Sequence, residues 1–295
     1  MSIPVLVLAG PTSAGKTSAA IHVAHLWNAR IVSADAMQVY TGMDIGTGKA
    51  HEEVLRLFPH ACIDVRAPDE PYTAQDFTAE ADAVVAGGGP VVVAGGTVFY
   101  LRAFLYGLVA APSAEPALRA ELEALEDPWS ELQKVDPVLA ERLHPNDRVR
   151  IVRGLEVFRI SGQRLSDLHA SDVQEHRHEH RVLWLDRDDL RPRIDLRVQR
   201  MMERGYLAEV QHLLDAGHHR GLKPMQSLGY RHLADHLLDG LPLEEAHWRT
   251  RRDHWRFARK QRGWSRQHPT WQPVDARDRD TVLATATELW GPPRR

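Results

Sequence analysis

The sequence predicts an α/β fold in which a parallel sheet is flanked by helices and interrupted by an all-helical insertion. Three observations predict it. Short apolar runs alternate with helical patterns over the first 106 residues, which is typical of a parallel sheet with helical crossovers. The first apolar run leads directly into a glycine-rich loop and a helix. A later stretch, residues 113–180, shows mainly helical patterns.

The glycine-rich loop is Gly10-Pro11-Thr12-Ser13-Ala14-Gly15-Lys16-Thr17. It fits the pattern G-x-x-x-x-G-K-[ST], and its position between a strand at 3–9 and a helix from 18 supports the match. Its backbone N–H groups can surround phosphate oxygens, Lys16 adds a positive charge, and the Thr17 hydroxyl can hold Mg²⁺. The sheet is therefore predicted to be P-loop NTPase-like, and the chain to bind a phosphorylated compound.

Two further predicted strands end in residues that could carry chemistry. The strand that begins at Arg30 leads to Asp35, and strand 90–94 ends in Gly95-Gly96-Thr97. Ligands of open α/β sheets bind outside the carboxyl ends of the strands, so these loops are expected to face one crevice with the phosphate loop. Asp35 could be a turn residue or a general base. Strand 90–94 ends without an acid, which disfavours a nucleotide-hydrolysing motor.

The predicted domain organisation is an α/β core of residues 1–112 and 181–295 with a helical insertion of residues 113–180. Helices are predicted near 117–126, 129–134, 137–143 and 147–161, and a strand at 181–185 returns to the sheet. His176, His178 and His180 alternate just before that strand. They could form a zinc site or an ordinary solvated loop, since three alternating histidines without a fourth ligand are weakly specific.

The C-terminal part is predicted to be helical. A helix over 189–216 carries an apolar stripe typical of core packing and is expected to break near Gly205. A longer helix over 244–264 is rich in basic residues with aromatic residues between them. They are Arg249, Arg251, Arg252, Arg256, Arg259, Lys260 and Arg262, with Trp248, Trp255, Phe257 and Trp264. A solvated charged face is the ordinary explanation, but the few acids and the aromatic residues favour polyanion binding.

Composition leaves three function classes open. The chain has 295 residues, a net charge of −3 and one cysteine, Cys62, which excludes an internal disulfide and a cysteine-based zinc site and favours a cytosolic setting. No apolar run reaches membrane-spanning length. A small-molecule kinase, a transferase with a diphosphate leaving group and a nucleotide-gated RNA-binding protein all remain possible. The basic helix favours the second and third.

Several segments together resemble the tRNA dimethylallyltransferases, also called tRNA isopentenyltransferases. The similarity extends over nearly the whole chain in the order of that family. The segments are the loop at 10–17, Ser33-Ala34-Asp35-Ala36-Met37-Gln38-Val39-Tyr40, Asp44-Ile45-Gly46-Thr47, Gly95-Gly96-Thr97, His144-Pro145-Asn146-Asp147 with Arg150 and Arg153, Gly229-Tyr230-Arg231, and Arg259-Lys260-Gln261 with Trp264 and Arg266. The phosphate loop is common to many enzymes, whereas the segments around Asp35 and Asp44 are much more specific.

The resemblance implies transfer of a dimethylallyl group from dimethylallyl diphosphate to N6 of the tRNA adenosine that lies 3′ of the anticodon. It implies Asp35, Thr97, Lys16 and Arg231 as catalytic residues. The diphosphate would lie on residues Gly10, Pro11, Thr12, Ser13, Ala14, Gly15, Lys16 and Thr17 with Arg231, and Mg²⁺ on Thr17. The resemblance further implies tRNA contacts from Asp35, Ala36, Met37, Gln38, Thr97, Arg119, Val149, Arg150, Arg153, Gly229, Tyr230, Arg259, Lys260, Gln261, Trp264 and Arg266.

The expected cofactor is therefore Mg²⁺, and the expected partners are the anticodon stem-loop of tRNA and dimethylallyl diphosphate. We expect a cytoplasmic monomer that does not bind membranes.

Overall fold

The computed structural model describes residues 3–171 and 176–293. Within these residues a six-stranded parallel sheet has the strand order β3-β2-β4-β1-β5-β6. Its strands are β1 (Val5–Ala9), β2 (Arg30–Ala34), β3 (His60–Ala61), β4 (Val91–Gly95), β5 (His180–Asp186) and β6 (Gln272–Asp275). The predicted α/β class and the parallel sheet are confirmed.

The described part of the chain contains fourteen α-helices. The first part of the chain forms α1 (Lys16–Trp27), α2 (Glu52–Leu57), α3 (Ala74–Ala86) and α4 (Val98–Tyr106). The middle part forms α5 (Pro116–Glu123), α6 (Pro128–Val135), α7 (Pro137–Arg142), α8 (Arg148–Ser161) and α9 (Leu165–Ser171). The last part forms α10 (Leu190–Glu203), α11 (Tyr206–Asp215), α12 (Tyr230–Asp239), α13 (Leu243–Ser265) and α14 (Arg279–Trp290), with a 3₁₀ turn at Pro224–Gln226.

The chain divides into two compact units, which we call the core unit and the helical unit. The core unit comprises residues 1–105 and 176–295, and the helical unit comprises residues 106–175, apart from the positions that the structure does not describe. These limits differ from the predicted insertion 113–180, because the linker from Tyr106 groups with the helices and the returning strand begins at His180.

The core of the core unit forms where the central strands meet α1. Leu6 and Leu8 of β1 are fully buried and pack in one cluster with Val23 and Trp27 of α1. The central strands read as continuous apolar runs because helices cover both faces of a parallel sheet. The cluster extends to Val274 of β6, so the last strand also contributes to this core.

The helical unit has its own hydrophobic core, built from α5 to α9. Asp136 is fully buried there because its carboxylate is satisfied: it accepts hydrogen bonds from the backbone N–H groups of Leu139 (3.0 Å) and Ser166 (2.9 Å). Glu156 is equally buried and forms an ion pair with Arg153 at 2.5 Å. Both carboxylates stabilise the unit from inside, since a buried charge must be paired or hydrogen-bonded.

The predicted break near Gly205 is confirmed. Gly205 has φ of 96°, a left-handed conformation that glycine adopts without strain, and it separates α10 from α11. None of the helices in residues 3–171 and 176–293 is long and apolar enough to cross a membrane.

Candidate functional site

The loops after β1, β2 and β4 lie side by side because these strands end in register. Ala9 and Ala34 are both paired with Gly95. Together with α10, residues 226–231 and α13, the loops line a cavity of about 730 Å³. The predicted site residues in this lining are Thr12, Ser13, Gly15, Lys16, Thr17, Asp35, Ala36, Met37, Gln38, Thr97, Tyr230, Arg231, Gln261 and Trp264. The crevice expected from the strand ends is therefore present.

The phosphate loop owes its shape to glycines. Gly10 has φ of 152°, and a Cβ at this position would lie 2.1 Å from the carbonyl oxygen of Leu185, so the loop can approach β5 only without a side chain. Gly15 has φ of 108° and precedes α1. The Ala14 N–H donates to Pro11 O at 3.3 Å. Among the described residues, Gly10, Pro11 and Ala14 form the base of the loop and do not line the cavity.

Lys16 is the cation of the loop. Its Nζ donates to the carbonyl oxygen of Pro11 at 2.7 Å. Burial lowers the pKa of Lys16 to about 8; the nearby carboxylate of Asp35 opposes this shift, and the guanidinium of Arg197 adds to it. A desolvated ammonium group in this position attracts an anion more strongly than an ammonium group in water would.

Four polar atoms of the cavity lining are buried and have no hydrogen-bond partner in the described part of the chain. They are Ser13 Oγ, His60 Nε2, Arg197 Nε and Ser227 Oγ. Buried polar atoms are nearly always hydrogen-bonded in folded proteins, so four such atoms in one cavity indicate a polar ligand. Arg197 also donates through Nη2 to Thr47 O at 3.2 Å, and burial lowers its pKa.

Sequence reasoning missed Arg197 and Ser227. Arg193, Arg197 and Arg200 all line the cavity, whereas Ile194 and Val198 are fully buried. The arginines recur at the i, i+4, i+7 spacing of one helix face, directly beside the apolar stripe. That spacing was the available signal, and it was overlooked because the stripe itself was assigned to core packing.

Asp35 serves the turn after β2 with one oxygen. Its Oδ1 accepts from the backbone N–H groups of Met37 at 2.9 Å and Gln38 at 3.4 Å. Among the described residues, Oδ2 accepts no hydrogen bond, and the side chain lines the cavity. Thr97 is fixed to the same turn because its Oγ1 accepts from Ala36 N–H at 3.0 Å. The turn role and a role as proton acceptor are therefore compatible.

The Gly-Tyr-Arg segment packs tightly at the start of α12. A Cβ on Gly229, which has φ of 83°, would lie 2.6 Å from the hydroxyl oxygen of Tyr206. Tyr230 is almost fully buried, and its hydroxyl donates to Glu209 at 2.6 Å. Gly229 and Tyr230 thus shape the wall of the cavity through contacts within the protein.

Arg231 lines the cavity and is held by Asp253 of α13. Arg231 Nη2 donates to Asp253 Oδ2, and His232 Nε2 lies 2.9 Å from the same oxygen. Burial alone would raise the pKa of Asp253, but hydrogen bonds from His232, Arg231 and Arg252 outweigh it and hold the pKa at about 2. Asp253 therefore stays ionised and fixes one edge of the Arg231 guanidinium.

Glu209 of α11 fixes the Asp-Ile-Gly-Thr loop. Its carboxylate accepts from the backbone N–H groups of Asp44 (2.9 Å), Ile45 (2.6 Å) and Gly46 (3.0 Å). The same carboxylate accepts from Tyr230, so Glu209 ties this loop to the start of α12. Sequence reasoning also missed Glu209, because its partners in this loop lie more than 160 residues away along the chain.

Helix α13 has exposed cations on its outer side. Arg259 and Lys260 are exposed, and their charged groups lie over the indole rings of Trp255 (5.1 Å to the ring centroid) and Trp264 (5.9 Å). Trp264 also lines the cavity. Arg266 is exposed just beyond the helix. This arrangement of exposed cations and half-buried rings suits a flexible polyanion with bases.

The predicted tRNA-binding residues of the helical unit have partners within that unit. Arg119 forms an ion pair with Glu123 at 3.2 Å and Arg150 with Asp147 at 2.7 Å. Arg153, besides its pair with buried Glu156, donates to a backbone carbonyl oxygen at 2.7 Å. Val149 has 69% of its surface exposed. Arg153 is thus required for the fold of the unit, whereas Arg119 and Arg150 are surface pairs.

The donor set of the cavity fits Mg²⁺. Thr17 is exposed at the start of α1 and lines the cavity. A hard cation that keeps several waters and phosphate oxygens needs only one or two such oxygen ligands from the protein. The histidines before β5 differ: His178 Nε2 lies 2.8 Å from Asp82 Oδ1. In residues 3–171 and 176–293 no group of three or more His, Cys, Asp or Glu side chains could hold a metal.

The sequence and the structure are similar to known transferases. The IPP transferase family model matches residues 38–268. A tRNA dimethylallyltransferase 1 from Syntrophotalea carbinolica is 45% identical over 276 residues, which cover 88% of this chain and 87% of the relative. A tRNA dimethylallyltransferase 1 from Citrifermentans bemidjiense is 41% identical over 271 residues, 89% of each.

Two solved structures of transferases are similar to this one. The tRNA isopentenylpyrophosphate transferase of Bacillus halodurans has a TM-score of 0.71 and 29% identity, covering 98% of this chain and 96% of that one. A eukaryotic dimethylallyltransferase acting on tRNA has a TM-score of 0.84 over 100% of this chain and 81% of that one. At 23% identity the latter likeness shows the fold alone. The family model and the curated relatives span most of the chain, and the chain belongs to the IPP transferase family.

Proposed function

We propose that this protein transfers a dimethylallyl group from dimethylallyl diphosphate to N6 of the tRNA adenosine 3′-adjacent to the anticodon, and releases diphosphate. The observation that carries the proposal is the composition of one cavity. Its lining combines the phosphate loop, the half-buried cations Lys16 and Arg197, and the Asp35–Thr97 pair. It also contains four buried polar atoms that have no hydrogen-bond partner among the described residues. Family membership agrees with this chemistry.

The leaving group occupies the phosphate loop. Lys16, Arg197 and Arg231 lie in the lining and stabilise the negative charge that develops on the departing oxygen as the allylic C–O bond breaks. Ser13 and Ser227 supply hydroxyl donors for the diphosphate oxygens. Thr17 would hold Mg²⁺, which supplies further neutralisation of the diphosphate when bound.

Asp35 accepts the proton that the nucleophile loses. The exocyclic amine of adenine is weakly nucleophilic because its lone pair is delocalised into the ring. As the new C–N bond forms, one N6 proton passes to Asp35, and the electron pair of the C–O bond leaves with diphosphate. Thr97 is hydrogen-bonded to the turn that carries Asp35, and its hydroxyl orients the amine.

The tRNA binds outside the cavity. The target base cannot react while stacked in the anticodon loop, so it is flipped into the cavity and the neighbouring nucleotides stay outside. Arg259, Lys260, Trp264 and Arg266 provide the cations and rings for this single-stranded region. The helical unit adds backbone contacts through Arg119, Val149 and Arg150. We place the protein in the cytoplasm as a monomer.

One experiment tests the proposal. The protein is incubated with Mg²⁺, dimethylallyl diphosphate and an anticodon stem-loop that carries adenosine 3′ of the anticodon, and the RNA is weighed by mass spectrometry. We expect a gain of one dimethylallyl group in place of one hydrogen, and no gain with a stem-loop that carries guanosine there. An unmodified RNA, or phosphate transfer from labelled ATP to a small molecule, would contradict the proposal.

A further inference from the structure

Gln261 connects α13 to two of the three loops of the cavity. Its Oε1 accepts from the backbone N–H of Thr12 at 2.9 Å, and its Nε2 donates to the carbonyl oxygen of Gly96 at 3.0 Å. Gln261 is 2% exposed; its bond with Gly96 is buried and its bond with Thr12 is partly buried. One amide group therefore links the phosphate loop with the turn that carries Thr97.

The packing around this amide leaves no room for another arrangement. A Cβ on Gly96 would lie 2.4 Å from Gln261 Nε2 and 3.2 Å from the carbonyl oxygen of Gly10. Gly96 has no positive φ, so its lack of a side chain serves this close approach and not a special backbone conformation. The absence of a side chain at Gly96 and the amide at Gln261 thus belong to one contact.

The two residues before Gln261 face the other way. Arg259 and Lys260 are exposed on the outer side of α13, where their side chains lie over indole rings. Arg262 turns back to the sheet and forms an ion pair with Asp186 at 2.9 Å. Successive helical residues differ by about 100°, so a helix can present cations outward and one amide inward within a single turn.

We propose that Gln261 is a positioning residue for the phosphate loop and not a tRNA contact. By binding Thr12 N–H and Gly96 O together, it holds the diphosphate site and the proton-accepting pair in one fixed geometry. Both hydrogen-bonding ends of its amide are then used within the protein. The role rests on the proposed function, since it assumes that the loop holds a diphosphate.

Gln261→Leu tests the proposal, because it removes both bonds and keeps nearly the same volume. Calorimetry with inorganic pyrophosphate and Mg²⁺ gives the affinity of the loop, and gel-shift titration gives the affinity for the anticodon stem-loop. We expect pyrophosphate affinity to fall about tenfold, as for the loss of one or two buried hydrogen bonds, while stem-loop affinity stays within about twofold. The KM for dimethylallyl diphosphate should rise and kcat should fall.

Gly96→Ala provides a second variant that leaves Gln261 in the chain. The new methyl group pushes the Gln261 amide away, so this variant should weaken pyrophosphate binding in the same way. In a Gln261→Ala background the methyl group has space, so Gly96→Ala should cost little more. This non-additivity is specific to a shared contact. If Gln261→Leu does not fold, pyrophosphate affinity is measured for Gly96→Ala, Gln261→Ala and the double variant. Non-additive effects in this double-mutant cycle then support the positioning role.

The outcomes separate the proposals. Reduced stem-loop affinity with unchanged pyrophosphate affinity in Gln261→Leu would overturn the positioning role and indicate direct RNA contact. Additive effects of Gly96→Ala and Gln261→Ala would overturn it as well. A wild-type protein that binds no pyrophosphate contradicts the proposed function itself, whatever the variants do.

Discussion

The cations of the cavity and those of α13 differ in burial and in partners. Lys16 and Arg197 are half-buried and donate to backbone carbonyl oxygens, and burial lowers the pKa of both. Arg259 and Lys260 are exposed and lie over indole rings. The first pair is fixed in a small space, whereas the second pair can follow a ligand that moves.

This difference suits two different anions. A desolvated cation interacts strongly with a small, compact anion, but its own charge is poorly stabilised when that anion is absent. An exposed cation contributes little individually and is screened by salt, so many such contacts are needed and they act through counterion release. A diphosphate fits the first environment and an RNA backbone the second.

The largest effect on the transfer rate is expected at Asp35, the carboxylate near Lys16 in the cavity. Asp35→Asn keeps an oxygen that can accept from Met37 N–H but removes the proton acceptor. Transfer should therefore fall by about 10²–10⁴-fold in single-turnover experiments, while pyrophosphate and stem-loop affinities are maintained. Near-normal transfer by this variant would remove Asp35 as the base.

The next largest effect is expected at Lys16, the half-buried cation of the phosphate loop. Lys16→Met removes the charge and retains an unbranched side chain. We expect kcat/KM for dimethylallyl diphosphate to fall by about 10²–10³-fold, with pyrophosphate affinity reduced and stem-loop affinity unchanged. Equal diphosphate affinity and turnover in the variant would mean that the loop has another ligand and that the comparison of the two sets of cations is wrong.

The exposed cations should give a smaller effect of a different kind. Replacing both Arg259 and Lys260 by Gln should weaken stem-loop binding and reduce the slope of log Kobs against log salt by about 1.4, that is about 0.7 for each phosphate contact. Pyrophosphate affinity should stay the same. The matched control is Arg220→Gln, because Arg220 is paired with Asp235 and Asp239. An unchanged salt slope would mean that Arg259 and Lys260 do not contact the RNA and that this face of α13 is an ordinary solvated surface.

The smallest effect is on pH dependence and stability. The pKa of Lys16 is about 8 in the folded protein, compared with 10.5 for an unperturbed lysine, which represents the unfolded chain. The folded protein therefore binds this proton less tightly than the unfolded chain does. Stability of the ligand-free protein should therefore rise as pH increases from 8 to 10.5, and pyrophosphate binding should weaken over the same range. Thermal melts should show Lys16→Met to be more stable than wild type at pH 7, with this pH dependence lost. If Lys16→Met melted at a lower temperature than wild type at pH 7, burial of the Lys16 charge would not destabilise the folded protein and this prediction would be wrong.

Local patterns in the sequence sufficed for the sheet and for part of the site. Central strands are apolar runs because they are buried on both faces, and the phosphate loop is a continuous motif. The two-residue strand β3 and the polar edge strand β6, which contains Pro273, gave no such signal. Strands β3 and β6 were therefore not predicted.

The remaining site residues depend on distant partners. Gln261 meets Thr12 across 249 positions, and Glu209 meets Ile45 across 164. A single sequence contains no pattern that pairs such positions, since only folding brings them together. For the same reason Gln261 was assigned to tRNA through the resemblance, whereas its contacts in the structure lie inside the protein.

The most direct measurement is a single-turnover reaction in which prenylated stem-loop and released pyrophosphate are quantified together, for wild type and for Asp35→Asn saturated with both substrates. We predict equal amounts of the two products from wild type at matching rates, and neither product at a comparable rate from the variant. Pyrophosphate released without prenylated RNA, or equal rates in both proteins, would contradict a cavity that holds the leaving group on the phosphate loop while Asp35 accepts the proton.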